Sequence, residues 1–181
     1  MNLANKLTLS RIFLVPVFMF FLLIKIPFGE YIAAVIFIIA ASTDGLDGYI
    51  ARKKRQVTNL GKLMDPLADK LLISAALISL VDLKQISAWV AVIIIGREFF
   101  VTGLRAIAAG EGVVIAASKL GKLKTISQIV AISALLLKDF PLSLFNITFG
   151  KYAIYVAVIF TIWSGVDYYL KARRSTRLKL E

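Results

Sequence analysis

The chain contains no cysteine and no histidine. Without cysteine it has neither disulfides nor thiolate metal ligands. Without histidine it lacks the side chain that most often serves as a general base. A base working near neutral pH must then be a carboxylate, a lysine or a tyrosine. A metal held by the protein must sit among oxygen ligands, which suit Mg2+, Mn2+ or Ca2+. Acidic residues are scarce as well, 11 against 22 Lys and Arg, for a formal charge of +11. Four of those eleven, Asp44, Asp47, Asp65 and Asp69, fall in one stretch, DGLDGYIARKKRQVTNLGKLMDPLADK, residues 44–70.

Apolar residues are abundant. They make up 59% of the 181 residues, with a mean hydropathy of +0.83, against about 45–50% in soluble domains. Several stretches of roughly 18–22 residues are nearly free of charge, which is the length that crosses a hydrocarbon core. The pattern predicts an all-α, polytopic membrane protein, a single domain over residues 1–181. Its six transmembrane helices are expected near 8–26, 31–52, 62–81, 86–109, 120–138 and 150–171. Turn residues fall between them at Pro27-Phe28-Gly29, Asp82-Leu83-Lys84 and Asp139-Phe140-Pro141. The apolar run Ile12–Ile24 follows Lys6 and Arg11 with no small-residue cleavage pattern after it, so it reads as a signal anchor.

Seventeen of the 22 Lys and Arg lie on the side that holds both chain ends and the segments 53–61 and 110–120; Lys25, Lys84, Lys138 and Lys151 lie on the other, and Lys70 lies within the third span. This asymmetry places both termini in the cytoplasm. It also accounts for the basic charge without nucleic acid as a partner. Tyr31, Trp89, Trp163, Tyr168 and Tyr169 are expected at the membrane interfaces.

On this topology the four aspartates gather at the cytoplasmic ends of the second and third spans. In a helix, Asp44, Asp47, Gly48, Ala51 and Arg52 share one face. Gly45 and Gly48 weaken that turn by roughly 1 kcal/mol each relative to alanine, which makes sense if a ligand lies against bare backbone. Gly61, Asp65 and Asp69 repeat the spacing on the next helix. Pro66 marks either its first turn or a kink. Four unpaired carboxylates facing each other repel strongly, and two divalent cations would balance them. Two such ions suit displacement at phosphorus, and one carboxylate can also take a proton from the attacking hydroxyl.

These residues resemble the signature of the CDP-alcohol phosphotransferases, D-x2-D-G-x2-A-R-x8-G-x3-D-x3-D. Asp44, Asp47, Gly48, Ala51, Arg52, Gly61, Asp65 and Asp69 match all eight positions over 26 residues. The resemblance implies six transmembrane helices around a site open to the cytoplasm, working as a homodimer in the bacterial cytoplasmic membrane. It implies that the four aspartates hold two divalent cations, Mg2+ or Mn2+, and that Asp69 is the catalytic base. It further implies that Gly48, Ala51, Arg52 and Gly61 line the pocket for the CDP-linked donor.

Three other segments, NLANKLTLSR at 2–11, REFFVTGLR at 97–105 and LGKLKT at 120–125, are similar to those of the bacterial phosphatidylglycerophosphate synthases within that family. The donor implied is CDP-diacylglycerol and the acceptor sn-glycerol 3-phosphate. Glu98 and Arg105 lie within about 20° on a helical wheel, with Thr102 between them and Arg97 beside the stripe. Lys122, Thr125 and Gln128 recur at three-residue spacing on the next helix. Arg97, Arg105, Lys122, Lys124, Thr8 and Arg11 are the candidates for the acceptor phosphate. Plainer readings stand beside these: Thr8 as a helix cap, Arg11 as a topology charge, Lys122 and Lys124 as interface anchors, and Arg97, Glu98 and Arg105 as an interhelical salt bridge. The same chemistry with inositol phosphate, serine or phosphatidylglycerol as acceptor is the nearest alternative. Outside that class stands a divalent-cation transporter, against which speaks the clustering of the acids at one membrane face.

Overall fold

The computed structural model describes residues 3–24, 26–53, 59–110, 112, 118–140 and 148–176; the side chains of 3–7, 44–53, 59–63, 65 and 174–176 lie outside the described set. The described residues form six helices and no strand: α1 (Leu3–Leu23), α2 (Gly29–Lys53), α3 (Asn59–Asp82), α4 (Ala88–Gly110), α5 (Lys119–Leu136) and α6 (Phe149–Thr176). Each expected span has its helix. The helices outrun the spans at both chain ends, because hydropathy marks what fits in hydrocarbon, whereas a helix continues until its hydrogen bonding is broken. Thr8 therefore lies inside α1 and is not its cap. Pro66 is the eighth residue of α3, inside the helix and beyond its first turn.

Helix ends are set by local chemistry. Ser118 caps α5: its backbone is extended and its Oγ accepts from the Gly121 N–H at 3.0 Å. The Asp139 carboxylate accepts from the Gly150 N–H in the first turn of α6 at 2.6 Å. The turns at the other end of the bundle carry residues in the left-handed region: Lys84 after α3 and Lys138 and Asp139 after α5 close helix C-termini in the manner usually given to glycine, and Phe28 directly precedes α2. Gly29 is obligatory in its turn, since a Cβ there would stand 2.6 Å from the Phe21 carbonyl oxygen.

α1 packs on α2 and α3, and α6 packs on α4 and α5. Phe18 and Phe37 meet at 5.9 Å between ring centroids in a core that also holds Leu72, Leu77, Ile94, Ile132 and Ile154. Ala33, Ala34, Ala40, Ala76 and Ala157 are fully buried; such small side chains let helices approach closely where water offers no hydrophobic drive. Large apolar side chains also cover the outside, among them Phe13, Trp89 and Tyr152 at 72%, 75% and 69% exposure. A soluble monomer rarely shows so much apolar surface.

Among the described residues, only Phe149–Arg173 of α6 is by length and composition apolar enough to cross a membrane, while Thr8–Leu23 and Gly29–Thr43 are shorter apolar helices. α3, α4 and α5 miss that standard because they carry Asp69, Lys70, Arg97, Glu98, Lys122 and Lys124. Those charges line internal cavities, so they lower a helix's mean hydropathy without defining its outer face.

Candidate active site

Short connections make successive helices run back and forth. The C-terminal end of α2, the start of α3, the end of α4, the start of α5 and the end of α6 thus belong to one end of the bundle, and polar residues of α3, α4, α5 and α6 meet there. A cavity of about 560 Å3 opens between α3, α4, α5 and α6. Among the described residues five cations line it: Lys70, Arg97, Arg105, Lys122 and Lys124. Glu98 is the one acid among the described residues that line it, and Thr102, Thr125 and Tyr168 add hydroxyls. A second cavity of about 200 Å3 adjoins it and shares Lys70, Glu98, Lys124 and Thr125; Asp69 and Gln128 also line it. A cationic chamber therefore leads directly to Asp69.

The deeper cations are held in place. Glu98 Oε1 accepts from Lys124 Nζ in a short contact and from Arg97 Nη1 at 3.3 Å. Arg97 Nη2 donates to Ser164 Oγ at 2.5 Å, and its guanidinium lies 5.6 Å from the centre of the Tyr168 ring. Gly165 makes room for this arginine, since a Cβ there would come 3.2 Å from Arg97 Cγ. Lys124 is buried, whereas Arg105 and Lys122 are exposed at the rim. Gln128 donates to Thr161 Oγ1 at 2.9 Å, which ties α5 to α6 beneath the chamber.

Arg11 and Thr8 do not line either cavity. Both are buried in α1 at 1% exposure. Arg11 Nη1 donates to Asp69 Oδ1 at 2.5 Å, with the Asp69 side chain 37% exposed. A buried guanidinium thus backs the carboxylate from inside the bundle.

Asp44, Asp47, Gly48, Ala51, Arg52, Gly61 and Asp65 have side chains outside the described residues. Their backbone is helical: α2 runs unbroken through 44–53 and α3 through 59–69. Asp44 and Asp47, and likewise Asp65 and Asp69, therefore stand one turn apart. The donor set is oxygen only, and its described member, Asp69, presents a carboxylate to a polar cavity. That chemistry fits a hard divalent cation.

Three residues of this site escape a reading by pattern. Lys70 lines both cavities, although on sequence it is only the residue after Asp69. Tyr168, expected at the membrane interface, is 6% exposed and accepts from the Ser118 N–H at 3.2 Å; α6 extends past the apolar stretch and turns this residue inward. Ser164 carries no motif, and only its contact with Arg97 reveals it. Asp167, for which the sequence suggests no role, pairs with Lys171 at 2.7 Å one turn along α6.

A profile of the CDP-alcohol phosphatidyltransferase family matches residues 1–163. A Bacillus subtilis (strain 168) protein is 50% identical, with 94% of each chain covered. A Haemophilus influenzae protein is 38% identical, over 96% of this chain and 95% of its own. A Rickettsia bellii protein is 36% identical over 96% of each. All three bear the name CDP-diacylglycerol–glycerol-3-phosphate 3-phosphatidyltransferase.

Proposed function

Because the chain belongs to the CDP-alcohol phosphatidyltransferase family, we propose that it transfers the phosphatidyl group of CDP-diacylglycerol to sn-glycerol 3-phosphate, giving phosphatidylglycerophosphate and CMP. The observation that carries this reading is the junction of the two cavities: a cluster of cations suited to a phosphate dianion opens onto the carboxylate of Asp69. Serine would leave those cations without a partner. Inositol phosphate would not, and the relatives' names favour glycerol phosphate over it.

In this reading the chain is one domain whose six helices span the bacterial cytoplasmic membrane as a homodimer. Both termini and the site face the cytoplasm. The Lys and Arg asymmetry and the apolar outer surface support that placement. The donor's acyl chains stay in the bilayer, while the soluble acceptor enters the cationic chamber from the cytoplasm. Gly48, Ala51, Arg52 and Gly61 receive the cytidine diphosphate. Asp44, Asp47, Asp65 and Asp69 would hold two divalent cations, Mg2+ or Mn2+, which supply charge neutralisation at the donor's phosphates.

The chain's own groups do the rest. Arg97, Arg105, Lys122 and Lys124 bind the acceptor phosphate and so orient its free hydroxyl toward Asp69. The Asp69 carboxylate takes the hydroxyl proton as the oxygen attacks the lipid-bearing phosphorus. The bond from that phosphorus to the CMP oxygen breaks, and CMP leaves. Arg11 holds Asp69 in position and counters its charge. Thr8, one turn before Arg11, supports the same wall.

The test is a detergent assay that reads CMP release from CDP-diacylglycerol with each candidate acceptor. Turnover is expected with glycerol 3-phosphate and a divalent ion, and none after chelation. Turnover only with inositol phosphate would sink the acceptor assignment. Metal flux into liposomes without CMP release would sink the enzyme itself. Two substitutions separate the basic residues by role. Arg105→Ala, at the rim, removes a charge-assisted hydrogen bond and is expected to raise the acceptor KM about tenfold or more with kcat nearly kept. Arg11→Gln should lower kcat about tenfold to a hundredfold while the acceptor KM stays close to wild type, as befits a residue acting through the base. An unchanged KM removes Arg105 from the pocket, and a rise in KM alone for Arg11→Gln would return Arg11 to phosphate binding.

A further inference from the structure

The end of the bundle opposite the site holds a third polar cavity, of about 430 Å3, between the α3–α4 turn and the start of α6. Lys84, Gln85, Ser87, Lys151 and Tyr155 supply its polar lining. Only four of the 22 Lys and Arg belong to this end on the topology above, yet two of them face one cavity. Among the described residues neither Lys84 nor Lys151 has an ion-pair partner, whereas Lys138 at the same end is paired with Glu30 at 2.7 Å. Asp82 closes α3 nearby but does not line the cavity.

Lys84 is not a loose surface lysine along its backbone. It occupies the left-handed region (φ 57°), its N–H donates to the Val81 carbonyl at 2.9 Å, and the next N–H, of Gln85, donates to Leu80 at 2.9 Å. That C-terminal cap of α3 fixes where the side chain leaves the turn. Two ammonium groups directed to one cavity without a counter-charge repel each other, and an anion between them removes the conflict.

An apolar groove, also about 430 Å3, joins this cavity at Val81. It follows α3 and α4 past Ile78, Ala91, Val92 and Ile95 as far as Gly96. A Cβ added at Gly96 would meet nothing within 4 Å, so the far end is open. From Ala88 to Gly96 the groove runs about 12 Å along α4, away from the bundle end and toward the middle of the bilayer. Trp89 and Tyr152, both largely exposed, stand at the same level as the cavity, where interfacial aromatics belong.

We propose that cavity and groove together bind one anionic phospholipid of the outer leaflet, with its phosphate between Lys84 and Lys151 and an acyl chain along α3 and α4. This rests on the membrane placement above but not on the catalytic assignment. A free phosphate shares the headgroup's chemistry, and the groove favours the lipid.

The experiment is native mass spectrometry of the full chain released from detergent with phosphatidylglycerol, phosphatidylcholine or inorganic phosphate. Phosphatidylglycerol should be retained in preference to phosphatidylcholine. The double substitution Lys84→Gln, Lys151→Gln should reduce that retention about tenfold, as expected for two lost cations at a lipid headgroup. Val92→Trp, which fills the groove without touching the charges, should reduce it too. CMP release by both variants should remain near wild type, which reports folding and keeps this test separate from the catalytic one. Equal retention by wild type and both variants overturns the proposal. Displacement of the lipid by inorganic phosphate, with Val92→Trp without effect, would assign a free-anion site and overturn the lipid.

Discussion

Asp69→Asn is expected to reduce CMP release by about a hundredfold to ten-thousandfold, the range that positioned general bases contribute. The substitution keeps the shape of the side chain and removes its charge and basicity. Asparagine cannot take the acceptor's proton at neutral pH. It also gives Arg11, buried at 1% exposure, a neutral amide in place of its carboxylate partner. The loss should appear in kcat, because the cations proposed to bind the acceptor phosphate line the adjoining chamber. Binding of glycerol 3-phosphate, followed by calorimetry in detergent, should therefore persist. If acceptor binding weakened strongly while turnover at saturation stayed normal, Asp69 would be a binding group and not the base. Asp69→Glu gives a second view: it retains the base but displaces it, and should recover part of the rate.

The largest effect on stability is expected from Glu98→Ala. Glu98 is 15% exposed at its side chain and holds Lys124 and Arg97, which are 7% and 11% exposed. Removing one partner of a buried ion pair costs about 3–5 kcal/mol, because the remaining charge stays buried without compensation. Arg97 keeps Ser164 and the Tyr168 ring; Lys124 loses the only side-chain acceptor it has among the described residues. For a chain of this size the loss corresponds to a fall in melting temperature of about 6–20 °C, which a thermal scan in detergent would read. Glu98→Gln should recover part of it, since its amide oxygen still accepts from both cations. An unchanged melting temperature in Glu98→Ala would show that the carboxylate is not what holds α4 to α5. The physical logic is that a chamber lined by five cations needs an internal anion to exist before its substrate arrives.

Much of this was present in composition and spacing. Absence of histidine and cysteine reduced the candidate bases and ligands to oxygen and lysine groups before any fold was considered. The aspartate spacing, three and four residues, placed each pair one helical turn apart, and α2 and α3 do run through those segments as helices. Helix periodicity also placed Glu98, Thr102 and Arg105 on one stripe, and all three line one chamber. Such features are local: they depend on the 3.6-residue period and on side-chain chemistry, both of which a sequence carries in full.

What required the tertiary structure was every contact between helices distant in the chain. Arg11 and Asp69 are 58 residues apart, Arg97 and Ser164 67 apart. In helices that are apolar nearly all round, hydropathy does not say which side faces which neighbour. Sequence alone thus made Arg11 a candidate for the acceptor phosphate, while packing of α1 on α3 buries it against Asp69. Lys70 carries no pattern and Tyr168 reads on sequence as an interfacial aromatic; both join the site because helix rotation turns them into it. The sequence by itself determined the class of chemistry and gathered its candidate acids toward one end of the bundle. Helix rotation and packing decided which basic groups surround the chamber, which one stands behind Asp69, and that two outward lysines converge on a cavity of their own.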